Sequence, residues 1–399
     1  MRVDKYIILL GDGMPDEGEI TPLMAAKSPT LDRLASLGEV GFVKTTPDGF
    51  EPGSDIGNMG LLGYDCNRYY TGRAPIEAAA IGVDLAPDEI AFRANLITLA
   101  LGSNQVIMED FSAGHIETHL ANELIESLSS NLSSEDIAFY AGVSYRHLMV
   151  ARGEFSDLTI HPPHNISGEN ILDYLPKGKG GDKIVDIMNK SQMILKDHPV
   201  NKRLAKAGKP VANSIWLWGQ GARLSFPTLK GLHNITGAMI SAVDLLKGLG
   251  SIADMKVVNV EGATGWLDTN FDGKKDALIN ELANVDLIFL HLEAPDEAGH
   301  LGSFDDKVAA IEKLDQLIVE PVVNYLEESN FSFRLMVTSD HPTPWKLRKH
   351  TSAPSPYLIY PSISTARNCS NFDETIISNK GSNYFDSALG LNNYFIEGS

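Results

Sequence analysis

Two cysteines in 399 residues is the most informative shortage in this sequence. Cys66 and Cys369 cannot build a zinc ribbon, and a disulfide framework is excluded. So few thiols fit a reducing compartment. Basic residues are scarce too: 33 Lys and Arg stand against 52 Asp and Glu, a formal net charge of −19. A chain this acidic lacks the basic surface that binding nucleic-acid phosphates requires. It also gains nothing from an anionic membrane surface. No apolar run comes near the ~20 residues of a spanning helix. The first such run, residues 6–10, is too short for a secretory signal core and leads straight into Gly11-Asp12-Gly13. Nucleic acid and membrane are therefore not expected partners, and the cytoplasm is the expected compartment. Fixed-period repeats, low-complexity tracts and a Walker motif are absent as well.

What is present is ordinary globular composition, 43% hydrophobic and 21% charged, in a chain long enough for about two to four domains. Residues 6–10 read as a strand buried on both faces. Ser28 and Pro29 open a helix over residues 30–37, and Gly38 stops it. The grammar returns near the C-terminus. Residues 285–292 form an apolar strand, 293–300 a loop, and Ser303 caps a helix carrying Phe304, Val308, Ile311, Leu314 and Ile318. Residues 334–338 are a further strand, followed by Ser339-Asp340-His341-Pro342, and 357–360 are a fourth apolar run. This alternation predicts an α/β core with a mostly parallel sheet flanked by helices. Residues 88–211 differ, with Pro- and Gly-rich stretches, and read as an inserted α+β domain. The chain returns to the core through 214–218, and 239–246 read as helical. The expected division is 1–87 and 212–399 for the core and 88–211 for the insert. Residues 368–399 are weakly patterned.

Polar residues gather just beyond the predicted strand ends, where open α/β sheets place their ligands. Asp12 follows the first strand; Asp296 and His300 form a D-x-x-x-H pair after the second; Asp340 and His341 follow the third, with His350 nine residues later. Each alone could be a turn former. Together they are a metal-ligand set of carboxylate and imidazole, which suits Mn²⁺ or Zn²⁺ better than Ca²⁺. Ser54, in Pro52-Gly53-Ser54-Asp55, stands where a Gly-flanked turn opens a helix. It is either a helix cap or a nucleophile beside free N–H groups that stabilise phosphate, and as a nucleophile it needs a metal to activate it. A third group, His115, Arg146, His164 and Asn165 in the insert together with Arg73, suggests an anionic ligand as readily as ordinary surface pairing. His119, His161, His198 and His233 read as surface or turn residues. His291, inside an apolar strand, reads as a satisfied core histidine, and Trp216 and Trp218 as core.

With these blocks in view, the chain resembles the archaeal-type cofactor-independent (2,3-bisphosphoglycerate-independent) phosphoglycerate mutases of the alkaline phosphatase superfamily. The resemblance covers most of the chain. It rests on Gly11-Asp12-Gly13-Met14, Gly53-Ser54-Asp55, Leu61-Leu62-Gly63-Tyr64-Asp65, Tyr69-Tyr70-Thr71-Gly72-Arg73, Ala294-Pro295-Asp296-Glu297-Ala298-Gly299-His300, Ser339-Asp340-His341 and His350-Thr351. It implies an alkaline-phosphatase-like core and two divalent metals, Mn²⁺ or Zn²⁺ with Mg²⁺ or Co²⁺ as substitutes, and no 2,3-bisphosphoglycerate. By the same resemblance, Asp296, His300 and His350 hold one metal. Asp12, Asp340, His341 and the Ser54 oxygen hold the other. Ser54 takes the phosphoryl group from 3-phosphoglycerate and returns it to the neighbouring hydroxyl, giving 2-phosphoglycerate. The insert closes over this small phosphorylated substrate and binds it through His115, Arg146, His164, Asn165 and Arg73. Relatives often carry an acidic residue where this chain has Asn165, whose neutral amide cannot exchange a proton. The alternative is a metal-dependent phosphotransferase or phosphohydrolase on another small alcohol, such as the homoserine kinase proposed for a branch of the family. A catalytically dead binding protein would not need the intact set of Asp12, Ser54, Asp296, His300, Asp340, His341 and His350. No feature of the sequence sets the oligomeric state.

Overall fold

The computed structural model describes residues 3–102, 104–155, 157–361, 363, 369–378 and 383–398. The chain runs through β1 (Lys5–Gly11), β2 (Glu39–Val43), β3 (Glu89–Leu101), β4 (Val106–Asp110), β5 (Ile137–Val143), β6 (Arg146–Arg152) and β7 (Ser214–Ala222). It continues through β8 (Gly237–Ile240), β9 (Lys256–Val258), β10 (Leu287–Leu292), β11 (Phe333–Thr338), β12 (Ser355–Tyr360) and β13 (Asn383–Phe385). Two compact units result, Met1–Tyr70 with Ser225–Ser399, and Thr71–Leu224.

The first unit is built on an eight-stranded sheet in the order β13-β2-β12-β11-β1-β10-β8-β9. β1 lies at its centre, parallel to both β10 and β11. Its residues from Tyr6 to Gly11 are all buried, as a continuous apolar run flanked by strands and covered on both faces requires. The sheet is mostly parallel, as expected, with β12 running antiparallel to β11 and β2. The helix Pro29–Leu37 forms where predicted, but the Ser28 side chain does not cap it. Asp315 does that work from a distance, accepting from Thr30 N at 3.2 Å and Leu31 N at 2.7 Å. Ser303 does cap its helix, Phe304–Leu314, accepting from Asp306 N.

Two local expectations change. Residues 293–300 are the helix Ala294–Leu301 rather than a loop. Residues 239–246 divide between β8 and the helix Asp244–Ile252, since a short apolar run has no periodicity to separate strand from helix. In the weakly patterned tail, 368, 379–382 and 399 lie outside the described residues. The helix Ala388–Glu397 does form there, and its last carbonyls are taken by Tyr6 Oη on Ile396 O (2.9 Å) and Arg334 on Phe395 O (2.8 Å).

The second unit carries an antiparallel sheet, β4-β3-β6-β5, with β7 also paired to β3. The helices Thr118–Leu132 and Gly181–Lys196 pack Leu124, Leu128, Ile184 and Ile187 into the same core as Phe92, Leu96 and Trp216. This unit is wider than the 88–211 read from composition. The helix Ala74–Ala80 buries Ala74 and Ala78 against Ala91 and Leu148, and the stretch 214–218, read as the return to the core, is a strand of this sheet.

Candidate active site

β11, β1 and β10 are neighbours in the sheet, so the residues that follow their C-terminal ends converge. Asp296 and His300 sit one turn apart on the helix Ala294–Leu301 and face the same way. His300 Nε2 is 3.3 Å from Asp296 Oδ2, and His350 Nε2 is 3.5 Å from Asp296 Oδ1. The two Nε2 atoms are only 2.9 Å apart. Each ring is held from behind, His300 Nδ1 donating to Arg348 O at 3.1 Å and His350 Nδ1 to Pro52 O at 3.2 Å. Both Nε2 atoms therefore point at one another and at a carboxylate, an arrangement that calls for a proton or a metal cation between them. Burial opposes ionisation of Asp296, but hydrogen bonds from His300 and His350 outweigh it and hold the carboxyl well below its usual range. Burial likewise opposes charge on His300, and Asp296 more than offsets it, raising the imidazole to about 9.

The second cluster joins Asp12, Asp296 and His341. His341 Nε2 lies 3.6 Å from Asp12 Oδ1 and 3.5 Å from Asp340 Oδ2. Asp340 is fixed by Gly13 N (3.3 Å) and His341 N (3.1 Å) on one oxygen and by Asn58 Nδ2 (2.9 Å) on the other. Asp12 Oδ2 accepts from His291 Nε2 at 2.8 Å, and His291 Nδ1 is 3.1 Å from Ser241 Oγ. Burial lowers His291 to about 3, so the ring is neutral and donates from Nε2. Asp12 Oδ1 is buried and has no hydrogen-bond partner. Burial and the nearby Asp340 and Asp296 carboxylates push Asp12 well above its usual range. An orphaned carboxylate oxygen among like charges and imidazole nitrogen is a donor set suited to a divalent cation. Asp296 belongs to both clusters, where the resemblance assigned it to one.

Ser54 is the first residue of the helix Ser54–Leu61, and Gly53 occupies the cap position. The Ser54 side chain caps nothing. Its Oγ lies 3.2 Å from His341 Nε2 and 3.5 Å from Asp12 Oδ2. The helix reaches this depth because Gly57 meets the Asp340 backbone: a Cβ there would stand 2.8 Å from Asp340 Cβ.

In the other unit the predicted anion-binding residues gather on one aromatic surface. The His164 ring is edge-on to Trp218 (5.4 Å) and Phe111 (6.1 Å), Phe111 to Tyr145 (6.0 Å), and Tyr145 to His115 (5.6 Å). Arg146 lies over Tyr145 at 5.5 Å and Arg93 over Trp218 at 4.2 Å. Arg73 and Arg93 share Glu77, at 3.4 and 2.8 Å. Burial lowers Arg93 to about 10, with Glu77 opposing. Asn165 lies exposed in the single turn Pro163–Ile166. His115 has φ +50 and is held by a turn whose Ser112 and Gly114 amides donate to Asp110, each at 2.7 Å.

A family model described as 2,3-bisphosphoglycerate-independent phosphoglycerate mutase matches residues 35–201. The protein of that name from Methanosarcina mazei is 48% identical over 382 residues, covering 94% of this chain and 95% of the relative. A probable 2,3-bisphosphoglycerate-independent phosphoglycerate mutase of Geobacter sulfurreducens is 46% identical over 361 residues, covering 89% and 90%. The chain belongs to the 2,3-bisphosphoglycerate-independent phosphoglycerate mutase family. Among solved structures, the cofactor-independent phosphoglycerate mutase of Thermoplasma acidophilum is 25% identical with a TM-score of 0.63, covering 100% of this chain and 99% of that one. A Pyrococcus horikoshii protein shares the fold at TM-score 0.82 and 24% identity, with the same coverage.

Set beside the sequence reading, this member of the phosphoglycerate mutase family assembles all seven core residues at one place. Sequence reasoning passed over several of their neighbours. His291 is a satisfied buried histidine, as expected, yet what satisfies it is Asp12. Thr343 and Arg93 carried no motif, and Asn58 and Tyr145 stood beside Ser54 and Arg146 with no role of their own assigned. Trp216 is core as expected, while Trp218 also forms part of the aromatic surface. Cys66 takes no part: burial pushes its thiol up to about 12. Among the described residues, no helix is long and apolar enough to cross a membrane.

Proposed function

We propose that this chain interconverts 3-phosphoglycerate and 2-phosphoglycerate through a phosphoserine at Ser54, without 2,3-bisphosphoglycerate. The observation that carries the reading is the position of Ser54 Oγ against both Asp12 and His341, at the start of a helix. Asp296, His300 and His350 would hold one divalent cation, and Asp12, Asp340 and His341, with Asp296 between the groups, a second; Mn²⁺ and Zn²⁺ suit these donors. Such a pair would neutralise phosphoryl oxygens and favour the ionised serine. Ser54 Oγ then forms the bond to phosphorus as the substrate's 3-oxygen leaves, and the Ser54 proton ends on that oxygen. The 2-hydroxyl reverses the step and returns a proton to Ser54. Asn58 holds the helix through Ser54 O (2.8 Å) while steadying Asp340. The free N–H groups of that helix stabilise the phosphoryl charge.

Arg146, His115, His164, Asn165 and Arg73 would bind the glycerate, the guanidinium groups taking its carboxylate by paired hydrogen bonds. Asn165 can orient a hydroxyl but not take its proton. Arg146→Ala should raise KM for 3-phosphoglycerate about 10–100-fold with a smaller change in kcat, the size expected for losing a charged hydrogen bond. Steady-state kinetics check this, and an unchanged KM contradicts it. A cytoplasmic setting fits the chain's few thiols.

Because His300 holds a proton up to about 9, a cation must displace it. Apparent Mn²⁺ affinity should therefore rise about tenfold per unit between roughly pH 7 and 9 and flatten above. Equilibrium dialysis across that range checks the slope, and a flat profile contradicts it. The reading as a whole is tested by incubating the protein with Mn²⁺ and 3-phosphoglycerate alone. Formation of 2-phosphoglycerate supports it. Release of inorganic phosphate, or phosphorylation of homoserine with 3-phosphoglycerate left untouched, would replace it.

A further inference from the structure

Thr343 follows His341 by two residues and is fully buried. Its hydroxyl donates to Asp296 Oδ1, and its oxygen is 3.3 Å from His341 Nδ1. A hydroxyl has one proton to give. With that proton on Asp296, the Thr343 oxygen is an acceptor, so His341 carries its own proton on Nδ1. The Nε2 lone pair is then left facing Ser54 Oγ at 3.2 Å and Asp12 Oδ1 at 3.6 Å. One side chain thus orients the histidine of one donor group and the carboxylate common to both.

The surroundings hold it there from several elements. Thr343 N donates to Gly13 O and Pro15 O, each at 3.3 Å. Thr343 O accepts from Lys307 Nζ at 2.8 Å, and that buried ammonium also donates to Pro15 O (3.1 Å) and Asp16 Oδ2 (2.9 Å). Gly13, at φ +59, leaves the room: a Cβ there would come within 2.6 Å of Thr343 Oγ1 and 2.5 Å of Asp296 Oδ1.

We propose that Thr343 is a positioning residue that ties the two donor groups together, its hydroxyl linking His341 Nδ1 to Asp296 Oδ1. The inference rests on the two-cation reading of the site. Removing the hydroxyl leaves the His341 Nδ1–H without a partner and frees both groups to turn. Loss of such outer partners costs about 10–100-fold in metal affinity.

The test compares Mn²⁺ binding isotherms of chelator-treated wild type, Thr343→Val, Thr343→Ala and Thr343→Ser, read from the paramagnetic signal of free Mn²⁺. Thermal melts of the same samples report folding. Thr343→Val and Thr343→Ala should bind Mn²⁺ about 10–100-fold more weakly at both sites while melting cooperatively. Thr343→Ser, which restores the hydroxyl, should stay close to wild type. Wild-type isotherms in the valine or alanine variant would overturn the proposal. So would equal losses in the serine and alanine variants, which would assign the effect to shape rather than to the hydroxyl. A wild-type protein that takes up no Mn²⁺ would instead overturn the two-cation reading beneath it.

Discussion

Ser54→Ala is expected to lower the interconversion of 3- and 2-phosphoglycerate by about 10⁴-fold or more while leaving the fold intact. The oxygen that would carry the phosphoryl group is gone. The competing role for Ser54 was a helix cap, whose loss costs about 0.5–2 kcal/mol of stability and spares chemistry. Gly53 holds the cap position, and the Ser54 side chain makes no cap bond. Its removal should therefore shift stability by no more than about 0.5 kcal/mol. Activity and denaturant melts on the same preparation separate the two roles. A variant that is destabilised yet still turns over would restore the cap.

Asp296→Asn should be nearly as damaging, for a different reason. The amide keeps the shape of the side chain but not its charge, and Asp296 stands in both donor clusters. Loss of the carboxylate should weaken Mn²⁺ binding at both sites by about 100-fold or more and take turnover with it. It should also let burial govern His300, moving its titration down from about 9. His300→Ala, by contrast, should weaken one site and spare the other. Stoichiometry from equilibrium dialysis distinguishes them: two full sites retained by Asp296→Asn would show that the carboxylate is not shared.

Much of the core was legible because of how parallel sheets are buried. β1, β10 and β11 are central strands, so each reads as a continuous apolar run, and the donors lie just after their ends, where the strand signal stops. Asp12, Asp296, Asp340 and His341 stand out there against apolar neighbours. The same contrast concealed His291, which lies within a strand and resembles any core histidine until its partner is known. Thr343 concealed itself in another way: a threonine after His-Pro reads as turn, and only the folded chain sets it between His341 and Asp296. That Asp296 serves two clusters is likewise a fact of three-dimensional placement. The second compact unit, Thr71–Leu224, has different edges from the 88–211 read from composition. Ala74–Ala80 has the apolar content of any core helix, and β7 alternates like a strand of either sheet. Arg93 lies in a strand that reads as apolar, and its partners Glu77 and Trp218 are 16 and 125 residues away, so no local pattern marked it.

In this mechanism the phosphoryl group passes through Ser54 on its way between the two hydroxyls. Acid quenching within the first turnovers, with 3-phosphoglycerate labelled in its phosphoryl group and Mn²⁺ present, followed by peptide mapping, tests it most directly. Label is expected on the peptide containing Ser54, formed before 2-phosphoglycerate appears and lost as unlabelled substrate is chased through. Labelled 2-phosphoglycerate produced at full rate with no label ever found on Ser54 would contradict it.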